Sequence, residues 1–145
     1  RPGAGPLGHR ERERSRMSAG LPWLQVVAVA VGSAVGALLR WWAGVAFNHQ
    51  WSGFPLGTLL VNCVGGLLIG AAVVWFDRTP NEVLRLLLIT GFLGGLTTFS
   101  AFSGESLSLV QRGEYAWALA HTVAHVVGSL ASAAIGFRLM RAWLA

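Results

Sequence analysis

Apolar residues in this chain fall in long uninterrupted runs, not at the alternate spacing of half-buried strands or the three-and-four spacing of surface helices. No charge interrupts Met17 to Leu39, and a first helix is expected over about 23–42. The polar stretch Asn48-His49-Gln50-Trp51-Ser52-Gly53-Phe54-Pro55 follows. Leu56 to Phe76 is uncharged over 21 residues, a span of about 56–76, and is closed by Asp77-Arg78-Thr79-Pro80-Asn81. A third span is expected over about 84–104 and a fourth over about 115–140. Each has roughly the ~20 residues that carry a helix across ~30 Å of hydrocarbon. A soluble helical bundle would need polar faces that these runs do not offer. The expected fold is an all-α membrane protein with four transmembrane helices.

Composition agrees. Hydrophobic residues make up 54% of the chain and charged residues 12%, about half the usual charged share. Seven of the 17 charges lie in the first 16 residues, which leaves ten for Met17 to Ala145. Residues 1–16, RPGAGPLGHRERERSR, show no apolar periodicity. They are expected to be a disordered tail, translated upstream of a native start at Met17, with the membrane domain over 17–145. The first apolar run is too long for a signal peptide and lacks a clear cleavage site. The net charge is +5, yet outside the tail the arginines are scattered and form no nucleic-acid face, so no nucleic-acid partner is expected. Cys63 stands alone, which excludes intrachain disulfides and multi-cysteine zinc sites.

The loop after the second span and the C-terminus carry Arg78, Arg85, Arg138 and Arg141, against Arg40 and Arg112 on the opposite side. With the tail left out, that is a feeble positive-inside signal, compatible with insertion in either direction or with a modest preference for the N-terminus inside; a native tail, with its five arginines, would favour the N-terminus inside strongly.

Small and polar residues line up at helical spacing within the spans: Gly32, Gly36 and Arg40; Thr58, Asn62, Gly66 and Gly70; His121, His125, Ser129, Ser132 and Gly136. Glycines at that spacing let helices approach closely in a bilayer. For Asn62 two readings stand side by side, packing glue and a place on a water-filled path. The third span is unusual. Thr90-Gly91-Phe92-Leu93-Gly94-Gly95-Leu96-Thr97-Thr98-Phe99-Ser100-Ala101-Phe102-Ser103 has three glycines and paired threonines at mid-membrane. A helix is expected to break there, exposing backbone groups toward protein or an ion. Phe99 and Phe102, three apart, face one side of the following half-helix.

These residues together resemble a known family. GTLLVN (Gly57 to Asn62), GFLGGLTTFSAFSGE (Gly91 to Glu105) and Gly36-Ala37-Leu38-Leu39-Arg40-Trp41 closely resemble the signature of the Fluc/CrcB fluoride channels, and the resemblance covers essentially Met17 to Ala145. It implies a passive fluoride channel in a prokaryotic plasma membrane, surrounded by lipid, and not an enzyme. It also implies an antiparallel dual-topology dimer with two fluoride pathways and a structural sodium ion at the centre of the interface. The dimer is a homodimer or a heterodimer with an oppositely oriented homologue. By position, Asn62 matches the pore-lining asparagine, Thr58 the polar residue one turn earlier, Phe99 and Phe102 the phenylalanines lining the pathways, and Ser100 the serine between them. Gly94 and Thr97 match the residues whose carbonyls hold sodium. Arg40 matches the arginine near the vestibule and Glu105 the acidic residue closing the motif.

The implied chemistry is coherent. Fluoride is small and strongly hydrated, so a selective pore must replace water with donors such as the Asn62 amide and the Thr58 and Ser100 hydroxyls. The positive edge of a phenyl ring also faces an anion well. The chain departs from the family pattern at Ala101, where threonine is common, and at His121 and His125, where Asn, Ser or Tyr is expected. A neutral imidazole still donates through one nitrogen, and its protonation would make flux depend on pH. The alternative roles for the histidine pair are mutual packing across the helices and metal binding, for which no acidic or thiol ligand is evident in the sequence.

Two other functions fit four spans. A small multidrug-type proton-coupled exporter needs a titratable carboxylate within a span, and Glu105 is expected near the end of the third. A structural membrane subunit has no need of the broken third helix. An intramembrane hydrolase lacks its motif, because Ser103-Gly104-Glu105-Ser106 is not a nucleophile elbow.

Overall fold

The computed structural model describes the backbone of residues 6–48 and 54–145, with side chains described from Pro22 onward. Residues 1–5 lie outside the described part, as do the side chains of the remaining tail and all of residues 49–53. Of the tail expected over 1–16 to be disordered, residues 1–5 lie outside the described part, and the backbone of residues 6–16 is helical and continuous with the first span. Among the described residues every regular element is helical. Helix α1 is Pro6–Phe47 and α2 is Leu56–Arg78. The first half of the third span begins as α3, Glu82–Arg85, runs without interruption through a π-helical stretch, Leu86–Leu93, and ends in one turn, α4, Gly94–Leu96. After a break, α5 covers Phe99–Gln111, and α6 covers Tyr115–Trp143.

Four helical segments are long and apolar enough to cross a membrane: Pro22–Phe47, Leu56–Arg78, Glu82–Gln111 and Tyr115–Trp143. Their outer faces are apolar. Trp23, Leu38, Trp41, Leu119, Leu130 and Leu139 are all more than half exposed, a surface suited to lipid and not to water.

Local chemistry explains the ends. Asn81 caps α3 by accepting from Leu84 N–H at 3.0 Å, and Glu82 follows in the first turn, where a carboxylate meets the positive end of the helix. α5 ends at Gly113, whose φ of +76° is open to glycine at little cost. Gly113 N–H donates to Val110 O at 3.0 Å and Glu114 N–H to Leu109 O at 2.9 Å, closing the helix with the paired bonds of a Schellman turn.

Glycine sets the spacing between spans. α1 lies along the π stretch and α4, and α2 along α6. A methyl group at Gly32 or Gly36 would run into the backbone oxygens of Leu87 or Phe92. A methyl group at Gly70 or Gly136 would meet Ala133 O or Leu67 O. The small-residue stripes on α1, α2 and α6 thus serve close backbone approach. A compact apolar core of Ala43, Val61, Leu93 and Leu96, flanked by Phe47, Ile69 and Phe92, joins α1 and α2 to the first half of the third span.

The third span extends beyond the expected boundary. Glu105 lies inside α5, with six more helical residues after it, and not near the end of the span. The carboxylate is accommodated there because Thr58 on α2 donates to its Oε1 at 2.5 Å.

Candidate polar pathway through the bundle

The break in the third span lies at Thr97 and Thr98, both in extended conformation, with φ −80°, ψ 154° and φ −149°, ψ 123°. Asn62 of α2 faces it. Its Oδ1 accepts from Thr98 N–H at 2.8 Å, and its Nδ2 donates to Thr98 O at 3.0 Å. One side-chain amide thus satisfies both backbone groups of a residue that has left the helical ladder, as a low-dielectric interior demands. The Thr98 hydroxyl caps α5 by accepting from Ala101 N–H at 3.1 Å, and Thr97 Oγ1 donates back to Leu93 O at 2.8 Å. The two adjacent threonines close the two half-helices in opposite directions.

These bonds bear on the carbonyls expected to hold sodium. In an unbroken helix Gly94 O would accept from Thr98 N–H, and Thr97 O from Ala101 N–H. Both donors are diverted, the first to Asn62 and the second to the Thr98 hydroxyl. Two hard carbonyl oxygens without their helical donors suit a cation such as sodium. Arg40, expected near a vestibule, donates its Nε to Gly95 O at 2.9 Å.

Polar side chains then form a line along the bundle. Asn48, at the end of α1, accepts at its Oδ1 from Gly57 N–H at 2.8 Å and Thr58 N–H at 3.3 Å, capping α2 from ten residues away. Its Nδ2 lies 3.5 Å from Thr58 Oγ1. Thr58 leads to Glu105, whose Oε2 lies 3.3 Å from His121 Nε2. His121 Nδ1 is 2.9 Å from Ser106 Oγ, and its ring lies 4.4 Å from that of His125. His125 Nδ1 returns to Asn62 Nδ2 at 3.1 Å.

Two cavities flank this line. One, of about 360 Å³, is lined by Arg40, Asn48, Thr58, Thr98 and Glu105 among others. The other, of about 500 Å³, is lined by Asn62, Thr97, Thr98, Phe99, Phe102 and His125 among others. Thr98 borders both. The phenylalanine pair shares a cavity, with ring centres 5.4 Å apart, but its members differ: Phe102 is 9% exposed and packed on both histidine rings, while Phe99 is 79% exposed. Ser100 lies on the exposed side with its hydroxyl 3.2 Å from Thr98 Oγ1.

Sequence reasoning missed Asn48 and Thr98. Nothing in their local sequence marks either one, since Asn48 sits among turn-type residues and Thr98 beside a second threonine. Sequence reasoning also held that no acidic ligand accompanies the histidine pair. The structure corrects this: one ligating atom each from Glu105, His121 and His125 lies within 4.8 Å of the other two. The carboxylate approaches because α5 and α6 pack side by side.

The family described as "CrcB-like protein, Camphor Resistance (CrcB)" matches residues 27–137. The chain belongs to the CrcB family. Among curated relatives, a protein of Aromatoleum aromaticum named "Fluoride-specific ion channel FluC" is 52% identical over 119 residues, covering 81% of this chain and 91% of the relative. Proteins of the same name from Pseudomonas aeruginosa and Cupriavidus pinatubonensis are 48% identical over 124 residues and 53% identical over 115. These alignments cover 84% and 78% of this chain, and 97% and 91% of the relatives. This CrcB-family chain is a multi-pass protein of the cell membrane. Glu105 supplies the intraspan carboxylate that a proton-coupled exporter requires, so the family match, and not the lack of such a group, separates the two readings.

Proposed function

We propose that this chain is a fluoride-specific ion channel that lets fluoride leave the cytoplasm passively. The observation that carries this reading is the convergence of polar side chains at the break, Asn62, Thr98, Thr58, Glu105 and His125, between two cavities, in a chain about half identical to relatives named for fluoride conduction. Fluoride gives up a tightly held water shell only where donors replace it. The Ser100 hydroxyl, an imidazole N–H and the edges of the Phe99 and Phe102 rings supply such donors, as a conduit for an anion requires. Chloride, being larger, would be rejected by size where such donors close tightly around fluoride.

The working unit is an antiparallel dimer, of two copies or of one copy with an oppositely inserted homologue. Support comes from the exposed flank at Phe99 and, with residues 1–16 left aside, from a four-to-two arginine distribution too balanced to fix one orientation. Sodium would be held by the carbonyls of Gly94 and Thr97 from both subunits, adding a structural positive charge beside the anion routes. Hydrogen fluoride enters cells as a neutral acid and dissociates inside. An open channel lets the membrane potential expel the anion, at about 2.3 kcal/mol per charge per 100 mV.

The test is fluoride efflux from liposomes reconstituted with the purified chain, followed with an ion-selective electrode after addition of a potassium ionophore, with chloride in parallel. Fast efflux selective for fluoride is the expected result. Silence that co-expression of an oppositely oriented homologue cures would assign the heterodimer. Silence with both, or equal chloride flux, would overturn the reading.

A further inference from the structure

Glu105, His121 and His125 make up an apparent transition-metal site, two imidazoles and a carboxylate gathered in the interior. His121 is 0% exposed and His125 4%, and Glu105 Oε2, His121 Nε2 and His125 Nε2 are all buried without a hydrogen-bond partner. Buried polar atoms left in this way call for an occupant or a function.

Hydrogen bonding decides which occupant. A metal takes the lone pair of one ring nitrogen, and the proton on the other must find an acceptor. His121 meets this condition, because its Nδ1 faces the Ser106 hydroxyl, which accepts as readily as it donates. His125 does not. Its Nδ1 faces Asn62 Nδ2, which is a donor only. The Asn62 amide is not free to turn over, since turning would set its oxygen against Thr98 O and its nitrogen against Thr98 N–H. His125 Nδ1 must therefore accept, and the neutral ring carries its proton on Nε2.

We infer that Asn62 acts on the permeating ion through His125: it fixes the Nε2–H tautomer, making His125 a donor to fluoride and closing the cluster to transition metals. This rests on the fluoride-channel reading above. Asn62 is then a positioning residue whose amide is already committed to Thr98 and to the imidazole, and His125 Nε2–H is the group that meets the anion. Glu105 Oε2 and His121 Nε2 lie 3.3 Å apart in the same cluster.

The test combines a spectroscopic signature with flux. In protein labelled with 15N-histidine and reconstituted in bilayers, His125 is expected to show a protonated Nε2 and a bare Nδ1, the signal being assigned by its loss in His125→Gln. Isothermal titration with zinc ion is expected to show no micromolar binding to the wild type. In Asn62→Asp a carboxylate would accept from Nδ1–H, so the tautomer inverts and zinc affinity rises by about tenfold or more. His125→Leu is expected to lower fluoride efflux by about ten- to a hundredfold, the loss of one donor to a charge, while His125→Gln, which retains an N–H, keeps more of it. A bare Nε2 in a wild type that conducts fluoride would overturn this inference alone, as would full conduction by His125→Leu. A wild type with protonated Nε2 that conducts no fluoride, with or without a partner, would overturn both the inference and the channel reading.

Discussion

Asn62 grips Thr98 by both its backbone groups, N–H at 2.8 Å and carbonyl at 3.0 Å, across 36 residues of sequence. The break in the third span is therefore held open by a side chain on the second. Asn62→Ala leaves both groups of Thr98 buried and unpaired, at about 1–3 kcal/mol each. Thr98→Ala removes the cap on Ala101 N–H, about 1 kcal/mol, and a contact with the exposed Ser100 hydroxyl. Thermal unfolding in detergent should rank Asn62→Ala well below Thr98→Ala, and the reverse order would refute the clamp.

Thr58 connects the α2 cap to Glu105 by its hydroxyl alone. Thr58→Val keeps the shape and removes the hydroxyl that holds Glu105, leaving a carboxylate oxygen unpaired, so fluoride efflux should fall by about tenfold or more, the worth of one hydrogen bond to a charged group. Thr58→Ser should retain most of it. Equal efflux from the two variants would show that the hydroxyl is not used.

Close backbone contact makes Gly70 and Gly136 intolerant of side chains. Either residue changed to Val forces α2 and α6 apart and should leave little monodisperse protein on size-exclusion chromatography. Gly104 has no atom within 4 Å of where a methyl would sit. Gly104→Ala should fold as well as the wild type, and gain up to about 1 kcal/mol from helix propensity. Failure of Gly104→Ala would place another surface against that face of α5.

The proposed sodium site at the Gly94 and Thr97 carbonyls, whose helical donors are bonded elsewhere, predicts dependence on a small cation. Exchange of sodium for N-methylglucamine during purification should lower efflux and dimer stability together, with recovery on adding sodium back. Unchanged flux after prolonged exchange would remove sodium from the assembly.

The four spans were legible because hydrocarbon admits so little charge: where Asp77, Arg78 and Glu82 cluster, a helix ends. The break was legible for a related reason, since paired threonines among glycines weaken a helix where water cannot repair it. The same logic misplaced Glu105, read as a boundary when a threonine 47 residues earlier makes room for it inside the bundle. Thr97 and Thr98 look alike in sequence, and only the fold sends one hydroxyl backward to Leu93 and the other forward to Ala101. Asn48 acts at a distance of nine and ten residues through a turn, beyond any local pattern.

Unwinding at two residues also places the tail of one helix and the head of the next at the same depth. The first half of the third span ends there with its carbonyls outermost, and α5 begins there with its N–H groups outermost. The partial charges of the two ends are about half a unit each and opposite in sign. A single interruption thus provides an electronegative and an electropositive surface back to back, from backbone alone, and the Arg40 guanidinium on Gly95 O adds a formal charge on the carbonyl side. A cation and an anion can then lie near one another in hydrocarbon, each facing the helix end that suits it.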